Sequence, residues 1–199
     1  MKTQGTLFTV ALAALAMPLI TFVPVDAQGR GTQVETADVL GQEDEYTGER
    51  DVVAEDGATL RRGPNGISAQ LSMPTPEPET YNYPDPDENP TAAEPGHPEA
   101  FTLWAFVFDP EQETFEDQDW AGAFLVGGHV VGGPNLTLSG HISKNTEPVA
   151  GEKLENPDAE IHLAVAPHGE LDPEIMPEQI KTPAGGPDMW WIAIFEPSE

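Results

Sequence analysis

The sequence lacks cysteine and is poor in basic residues. It contains no Cys, and only 8 Lys and Arg stand against 35 Asp and Glu among its 199 residues, which gives a formal charge of -27. Without cysteine the chain has no disulfide, no thiolate nucleophile and no Cys-ligated zinc. A polyanion of this size repels nucleic acid and anionic lipid headgroups over about 8 Å at physiological salt. We therefore expect no nucleic acid partner and no anionic membrane surface as partner.

Long apolar runs are also scarce, and the longest one stands near the N-terminus. It extends from Leu7 to Val25, follows one lysine and ends two residues before the small residue Ala27. A positive charge, an apolar core and small residues before a cleavage point are typical of a signal peptide. We predict a signal peptide over 1–27, a secreted, extracellular or periplasmic location, and no membrane span after cleavage. An uncleaved anchor is the weaker alternative, because Pro18 and Pro24 interrupt the run.

The stretch after the signal peptide has few apolar residues. Residues 28–60 are rich in Gln, Gly, Thr, Glu and Asp. Such a composition buries too little apolar surface to offset the entropy lost on ordering. We predict an acidic, mostly disordered leader over 28–60, in which 51–60 could add an edge strand, followed by a single β-sandwich domain over 61–199.

The second part of the chain carries the hydrophobic patterns of β-strands. Alternation of apolar and polar residues predicts strands with one buried face, and continuous apolar runs are typical of strands buried on both faces. The alternating segments are 67–73, 136–143 and 160–167, and the continuous runs are 101–108 and 190–195. Only 171–180 has helical signals, with Asp172 as an N-cap.

These patterns predict an all-β fold. We expect an antiparallel β-sandwich, or a small barrel, of about six to eight strands with Pro-rich loops and one short helical turn. The strands at 123–131 and 136–143 flank Gly132-Gly133-Pro134-Asn135. This turn sequence predicts that the two strands form a hairpin.

Four histidines in or beside predicted strands form a candidate transition-metal site: His129, His141, His162 and His168. Neutral imidazole nitrogens bind zinc and copper. A four-residue hairpin loop would put His129 and His141 on opposite faces, and a three-residue loop would put them on the same face. His168 ends its strand and is expected on a loop from which it could reach a site. The alternative is four unrelated histidines, and no HExxH spacing links them.

An acidic loop is the second candidate cation site. Its carboxylates are Asp109, Glu111, Glu113 and Asp117. Hard oxygen ligands of this kind bind Ca²⁺. The EF-hand spacing is absent, because Thr114 stands at the position that requires glycine. A solvated acidic loop is the alternative explanation.

One short segment resembles a known family. Residues 159–169 resemble the histidine-bearing strand of the chordin-type extracellular β-domains, with Glu160 in place of the paired histidine of that pattern. The resemblance implies no site residue for this chain.

Motifs of the common enzyme classes are absent from the sequence. It has no GxSxG elbow, no P-loop and no dinucleotide-binding GxGxxG, so we nominate no catalytic or cofactor-binding residue and leave enzymatic activity open. We predict a secreted acidic β-sandwich protein that acts in binding or as a surface or matrix component. Its expected partners are cations (a transition metal or calcium), polysaccharide or another surface protein. The alternative function is a metal-dependent extracellular enzyme with a histidine-ligated site.

Overall fold

The computed structural model describes residues 32–41, 50–77, 98–114, 119–176, 178–181 and 190–198, and these ranges contain nine strands. A short 3₁₀ helix lies at Glu178–Ile180, and no helix in these ranges has the length and apolarity to span a membrane. In chain order the strands are β1 Gln33–Leu40, β2 Val52–Gly63, β3 Gly66–Pro74, β4 Glu99–Phe108, β5 Gly122–Val131, β6 Asn135–Ser143, β7 Ala150–Gly151, β8 Glu160–Glu170 and β9 Trp191–Phe195.

All nine strands pair antiparallel in one curled sheet, in the order β6-β3-β2-β1-β9-β8-β4-β5-β7. The prediction of an all-β antiparallel fold is confirmed. Within 28–60, the strand expected at 51–60 is present as part of β2, but it lies between β1 and β3 and not at the edge of the sheet. β1 also lies in this range, so for its residues the expectation of a mostly disordered leader is corrected. The physical reason is that their partners supply the burial that their own composition lacks, as where Val39 becomes fully buried. The predicted signal peptide at 1–27 lies outside the described residues.

The sheet consists of two halves that are joined at a narrow point. β1 and β9 share a single bridge, between Leu40 and Ile192. Arg50 reinforces this junction, because its Nη1 donates to the carbonyl oxygens of Gly41 at 2.9 Å and Trp190 at 3.1 Å. We call strands β6, β3, β2 and β1 the polar half, and strands β9, β8, β4, β5 and β7 the covered half.

The far ends of the two halves meet where β5 and β6 approach each other. A Cβ atom on Gly140 would overlap the carbonyl oxygen of Val126, and one on Gly127 would lie 2.8 Å from the carbonyl oxygen of Ser139. Only glycine permits backbones to come this close.

The predicted hairpin between the strands at 123–131 and 136–143 is wrong. The two strands are present as β5 and β6, but β5 pairs with β4 and β7, while β6 pairs with β3. The connection at 132–134 therefore links the two halves, and neither of the two registers considered for His129 and His141 applies. Local turn signals indicate where the chain bends, whereas distant strands decide the pairing.

The hydrophobic core lies on the inner side of the curl. Alternate residues of both halves point there and are fully or almost fully buried; they include Leu60, Leu71, Leu138, Leu103, Leu163 and Phe195. Each such side chain stabilises the fold by roughly 1.5–3 kcal/mol through its removal from water.

A buried arginine connects the halves at one end of this core. Arg62 is only 2% exposed. Its Nε donates to Oε1 of Glu35 at 2.8 Å, and its Nη atoms donate to the carbonyl oxygens of Pro157, Ala159 and Glu196 at 2.8, 2.5 and 2.8 Å. A buried charge is tolerated only with such partners, so Arg62 holds the start of β8 and the end of β9 against β1 and β2.

Candidate functional site

The structure does not gather the four histidines that the sequence suggests as metal ligands. His129 lies on β5 opposite Phe101, and His141 lies on β6 opposite Ser68. His162 and His168 share β8 but stand six residues apart, roughly 20 Å along a strand. Within the described ranges, no three His, Asp or Glu side chains lie together so that they could hold a metal ion. Transition-metal binding therefore stays a prediction without a described site.

His168 lies on β8 and not on a loop, which corrects the sequence-based expectation. It is 1% exposed, and its Nε2 lies 2.7 Å from Oγ1 of Thr102. That oxygen also accepts the indole N–H of Trp104 at 2.7 Å, and a hydroxyl can accept one bond while it donates its proton to an unprotonated Nε2 of His168. Burial lowers the pKa of His168 to about 4, against the opposing effect of a backbone hydrogen bond with Gln179. The imidazole is therefore neutral and satisfied within the fold.

The segment after β8 lies against the outer side of the covered half, where the side chain of Ile180 lies next to Gly128 of β5. Nε2 of Gln179 donates to the carbonyl oxygens of His168 at 3.1 Å and Glu170 at 2.8 Å, and its Oε1 accepts the backbone N–H of Asp172 at 3.1 Å. Asp172 in turn accepts the N–H of Glu174 at 2.9 Å, as expected of an N-cap. These bonds, together with the buried His168, give β4 and β8 a layer on their outer face.

The remaining candidate, His162, lies in a group of aromatic rings on the same outer face. Nε2 of His162 donates to Oε1 of Glu160 at 2.6 Å, and its ring centroid lies 4.3 Å from that of Phe108. Phe106 is the partner of His162 in the β4–β8 ladder, and its ring lies 5.7 Å from that of Trp120. We call these five residues the ring patch. All five are half-buried, so part of each remains open to solvent.

The ring patch combines two kinds of binding chemistry. Part-exposed aromatic rings offer flat apolar faces. The Glu160 side chain, 32% exposed, is an acceptor, and the imidazole of His162 holds it in place. A few oriented polar groups beside apolar rings are typical of sites for small polar ligands. The ring that forms the centre of the patch, Phe106, is itself supported from the side by Trp190 at 5.3 Å.

The candidate calcium ligands are used partly within their own loop. Asp109 is 4% exposed, and its Oδ1 accepts the backbone N–H of Glu111 at 3.0 Å. Glu111 and Glu113 are exposed, and Asp117 lies outside the described residues. The carboxylate of Asp109 therefore stabilises a turn at the end of β4, and calcium binding at this loop stays a prediction.

A buried acid that sequence reasoning did not single out stands at the other end of β4. Glu99 is 3% exposed and pairs with Val131 on β5 and Glu170 on β8. Burial raises its pKa to about 7. Among the described residues its Oε1 has no hydrogen-bond partner. Its position at the start of the continuous apolar run 101–108 is the signal that could have identified it.

No family model, curated protein or solved structure matches this chain. Its function must therefore be inferred from its own side chains. Of the predicted site residues that the structure describes, His162 alone lies in a part-exposed group with several ligand-type side chains. Its companions Glu160, Phe106 and Phe108 were missed, because the pairing that joins them connects positions more than fifty residues apart.

Proposed function

We propose that this chain is an exported, acidic binding protein of a surface or matrix, and that it binds a neutral polysaccharide at the ring patch. The observation that carries the proposal is the position of the part-exposed rings of Phe108 and Trp120 beside the Glu160–His162 pair on one sheet face. Export is expected from the signal peptide at 1–27. The arrangement of the two halves as stacked layers of a sandwich is part of the same proposal, and the single bridge between β1 and β9 supports it.

The charge of the chain favours a neutral ligand. At -27 the protein repels anionic polymers, whereas stacking of a sugar on a ring needs no charge. The faces of Phe108 and Trp120 suit the apolar C–H faces of pyranose rings, and Glu160 accepts from their hydroxyl groups. Two stacking contacts and two hydrogen bonds at about 1 kcal/mol each give about 4 kcal/mol in total. This corresponds to a Kd of about 1 mM for a short oligosaccharide.

Titration with neutral oligosaccharides tests the proposal. Short β-linked glucose and N-acetylglucosamine oligomers are added to the processed protein, and tryptophan fluorescence and calorimetry follow binding. Trp120→Ala is expected to weaken binding about fivefold, the equivalent of the value of about 1 kcal/mol assigned to one stacking contact, and Glu160→Gln several-fold. Val149→Ala, which changes an exposed apolar side chain outside the patch, is the control and leaves binding unchanged. Absence of binding to every neutral oligomer in the panel contradicts the proposal.

A further inference from the structure

On the outer face of the polar half, strands β2, β3 and β6 carry two cross-strand rows without a carboxylate. On β1 these rows continue with Thr36 and with Val34, which is 51% exposed. One row is Arg61, Ser68 and His141, and the next is Thr59, Gln70 and Ser139, each with one residue from β2, β3 and β6. We call these six residues the polar face. In a chain with 35 acidic residues, a continuous area of hydroxyl, amide, guanidinium and imidazole groups is an unusual local composition. Among the described residues, the carboxylate of Asp56 comes near it, because its Oδ1 accepts from Oγ1 of Thr36, the β1 partner of Thr59.

The groups of the polar face have free hydrogen-bonding capacity. Arg61, Gln70, Ser139 and His141 are exposed. Ser68 and His141 bond to each other, Oγ to Nδ1 at 2.9 Å. The other four side chains have no hydrogen bond or ion pair with any residue that the structure describes. Adjacent strands are about 4.8 Å apart and alternate residues about 7 Å apart, so the face is a regular array of donors and acceptors.

The composition of the polar face selects the chemistry of its partner. A cation finds no carboxylate among these six residues, and an apolar protein surface finds only Val34, at the β1 end of one row. An anionic polymer is repelled by the charge of the whole protein. A neutral polyhydroxylated chain suffers no repulsion and presents hydroxyl groups that complement the donors and acceptors of both rows. This is the ligand class proposed for the ring patch.

The two surfaces point away from each other. β3, in the middle of the polar face, and β8, which carries Glu160 and His162, are four strands apart in the sheet order. The sheet curls until β5 and β6 meet at Gly127 and Gly140, so strands four places apart lie on opposite sides of the core. Their outer faces therefore have opposite directions.

We infer that the polar face is a second polysaccharide-binding surface, and that one monomer of this protein cross-links two polysaccharide chains. The inference rests on the proposed function of the ring patch. Two surfaces that cannot contact the same short stretch of ligand bind two chains, and each link adds to the avidity of the network. A matrix protein with this arrangement stiffens the polymer that it binds.

Light scattering from mixtures with a soluble neutral β-glucan tests the inference. Sedimentation first establishes that the protein is a monomer at the working concentration. Scattering from the wild-type mixture is expected to rise with the protein concentration and to pass through a maximum. It falls when excess protein occupies the binding sites of each glucan chain separately. Two variants each remove one of the surfaces: Trp120→Ala, and Gln70→Ala combined with Ser139→Ala. Each variant should still bind the glucan, although several-fold more weakly than the wild type. Each should lose at least nine-tenths of the scattering. The double variant Gln33→Ala with Asn145→Ala, at exposed polar positions outside both surfaces, should scatter like the wild type.

The outcomes separate this inference from the proposed function. A wild-type protein that binds the glucan without cross-linking it, or a Gln70 and Ser139 variant that cross-links as the wild type does, overturns the inference and leaves the ring patch standing. A wild-type protein that binds no neutral glycan overturns both. Self-association that the Gln70 and Ser139 variant abolishes shows that the polar face binds a second copy of the chain, which also overturns the inference.

Discussion

The polar half and the covered half use the same antiparallel pairing and differ in what lies on their outer face. In β3 of the polar half, Ile67 is buried and its neighbour Ser68 is half-buried, so the strand alternates. In β4 of the covered half, Leu103 and Trp104 point to opposite sides and are both fully buried. Antiparallel sheets commonly leave one face in water. The hydrophobic pattern of a strand therefore indicates whether one or both of its faces are covered, and not whether the sheet is parallel or antiparallel.

The outer layer of the covered half contains polar groups that are satisfied internally. The hydrogen bonds from Trp104 through Thr102 to His168 satisfy the buried polar groups of this layer. On the outer face of the polar half, water satisfies such groups. Removal of a hydrogen-bond partner therefore lowers the stability more in the covered half, because solvent cannot replace the lost partner there. Matched substitutions in the two halves measure this difference.

The largest difference is expected for side chains that stand on the outer face of each half. Trp104→Ala removes a fully buried ring and should lower the free energy of unfolding by about 3–5 kcal/mol. Gln70→Ala, at the equivalent outer position of the polar half, should change it by less than about 0.5 kcal/mol. Urea denaturation followed by fluorescence and circular dichroism measures both. Equal effects would show that the covered half has no real outer layer.

The sequence predicts the strands of either half where its pattern is strong. The alternation in β3 and β6 and the continuous run of β4 identify those strands within a few residues. β1 was missed because its apolar residues are few, and its burial comes from β2, whose own partner β3 follows later in the chain. The hairpin was wrong for a related reason: the best local turn in the sequence connects strands that pair elsewhere.

The candidate sites were less predictable than the strands. The sequence indicated His162 only as one of four metal ligands, since the pairing of β4 with β8 that surrounds it with Phe106 and Phe108 is a tertiary property. His168 follows a proline and precedes a glycine, which suggests a loop, yet a bulge in the β4–β8 ladder keeps it in the strand. Composition could not reveal the polar face, because its six residues come from three separated segments.

Buried and exposed acids should respond differently to pH. Burial raises the pKa of Glu99 from 4.5 to about 7, so the stability associated with its neutral form is fully present below pH 4.5 and is lost as the pH rises through 7. At about 1.4 kcal/mol for each pH unit, the loss approaches about 3 kcal/mol. Glu99→Gln stays neutral at every pH. It should therefore be more stable than the wild type by up to about 3 kcal/mol at pH 8 and about equally stable at pH 4.

The matched acid for this comparison is Glu55, which is exposed on β2 of the polar half. Glu55→Gln makes the same change in net charge and should alter the free energy of unfolding by less than about 0.5 kcal/mol at both pH values. Denaturation curves at pH 4 and pH 8 give the four differences. A Glu99→Gln variant that gains nothing at pH 8 would mean that the carboxylate finds a partner or water when it ionises.

One threonine from each half gives the next comparison. Thr102→Val keeps the shape of the side chain but leaves the indole N–H of Trp104 and the Nε2 of His168 without a partner in a buried place. We expect a loss of about 2 kcal/mol. Thr137→Val breaks the bond to Ser72, 2.8 Å long, on the exposed side of the polar half, where water takes over, and should cost less than about 0.5 kcal/mol. Similar values for the two variants, measured by urea denaturation, would place water within reach of His168.

The smallest expected effect concerns the contact between the two halves. Gly140→Ala places a methyl group against the carbonyl oxygen of Val126, and the backbones of β5 and β6 must separate to accept it, at a cost of about 1–2 kcal/mol. Gly133→Ala, only seven residues away, meets nothing within 4 Å and should be neutral. Thermal and urea denaturation compare the two variants, and hydrogen exchange of the β6 amides reports whether the contact has opened. If Gly140→Ala is as stable as Gly133→Ala and its β6 amides remain protected, the halves do not meet at these glycines, and the opposite placement of the polar face and the ring patch loses its geometric basis.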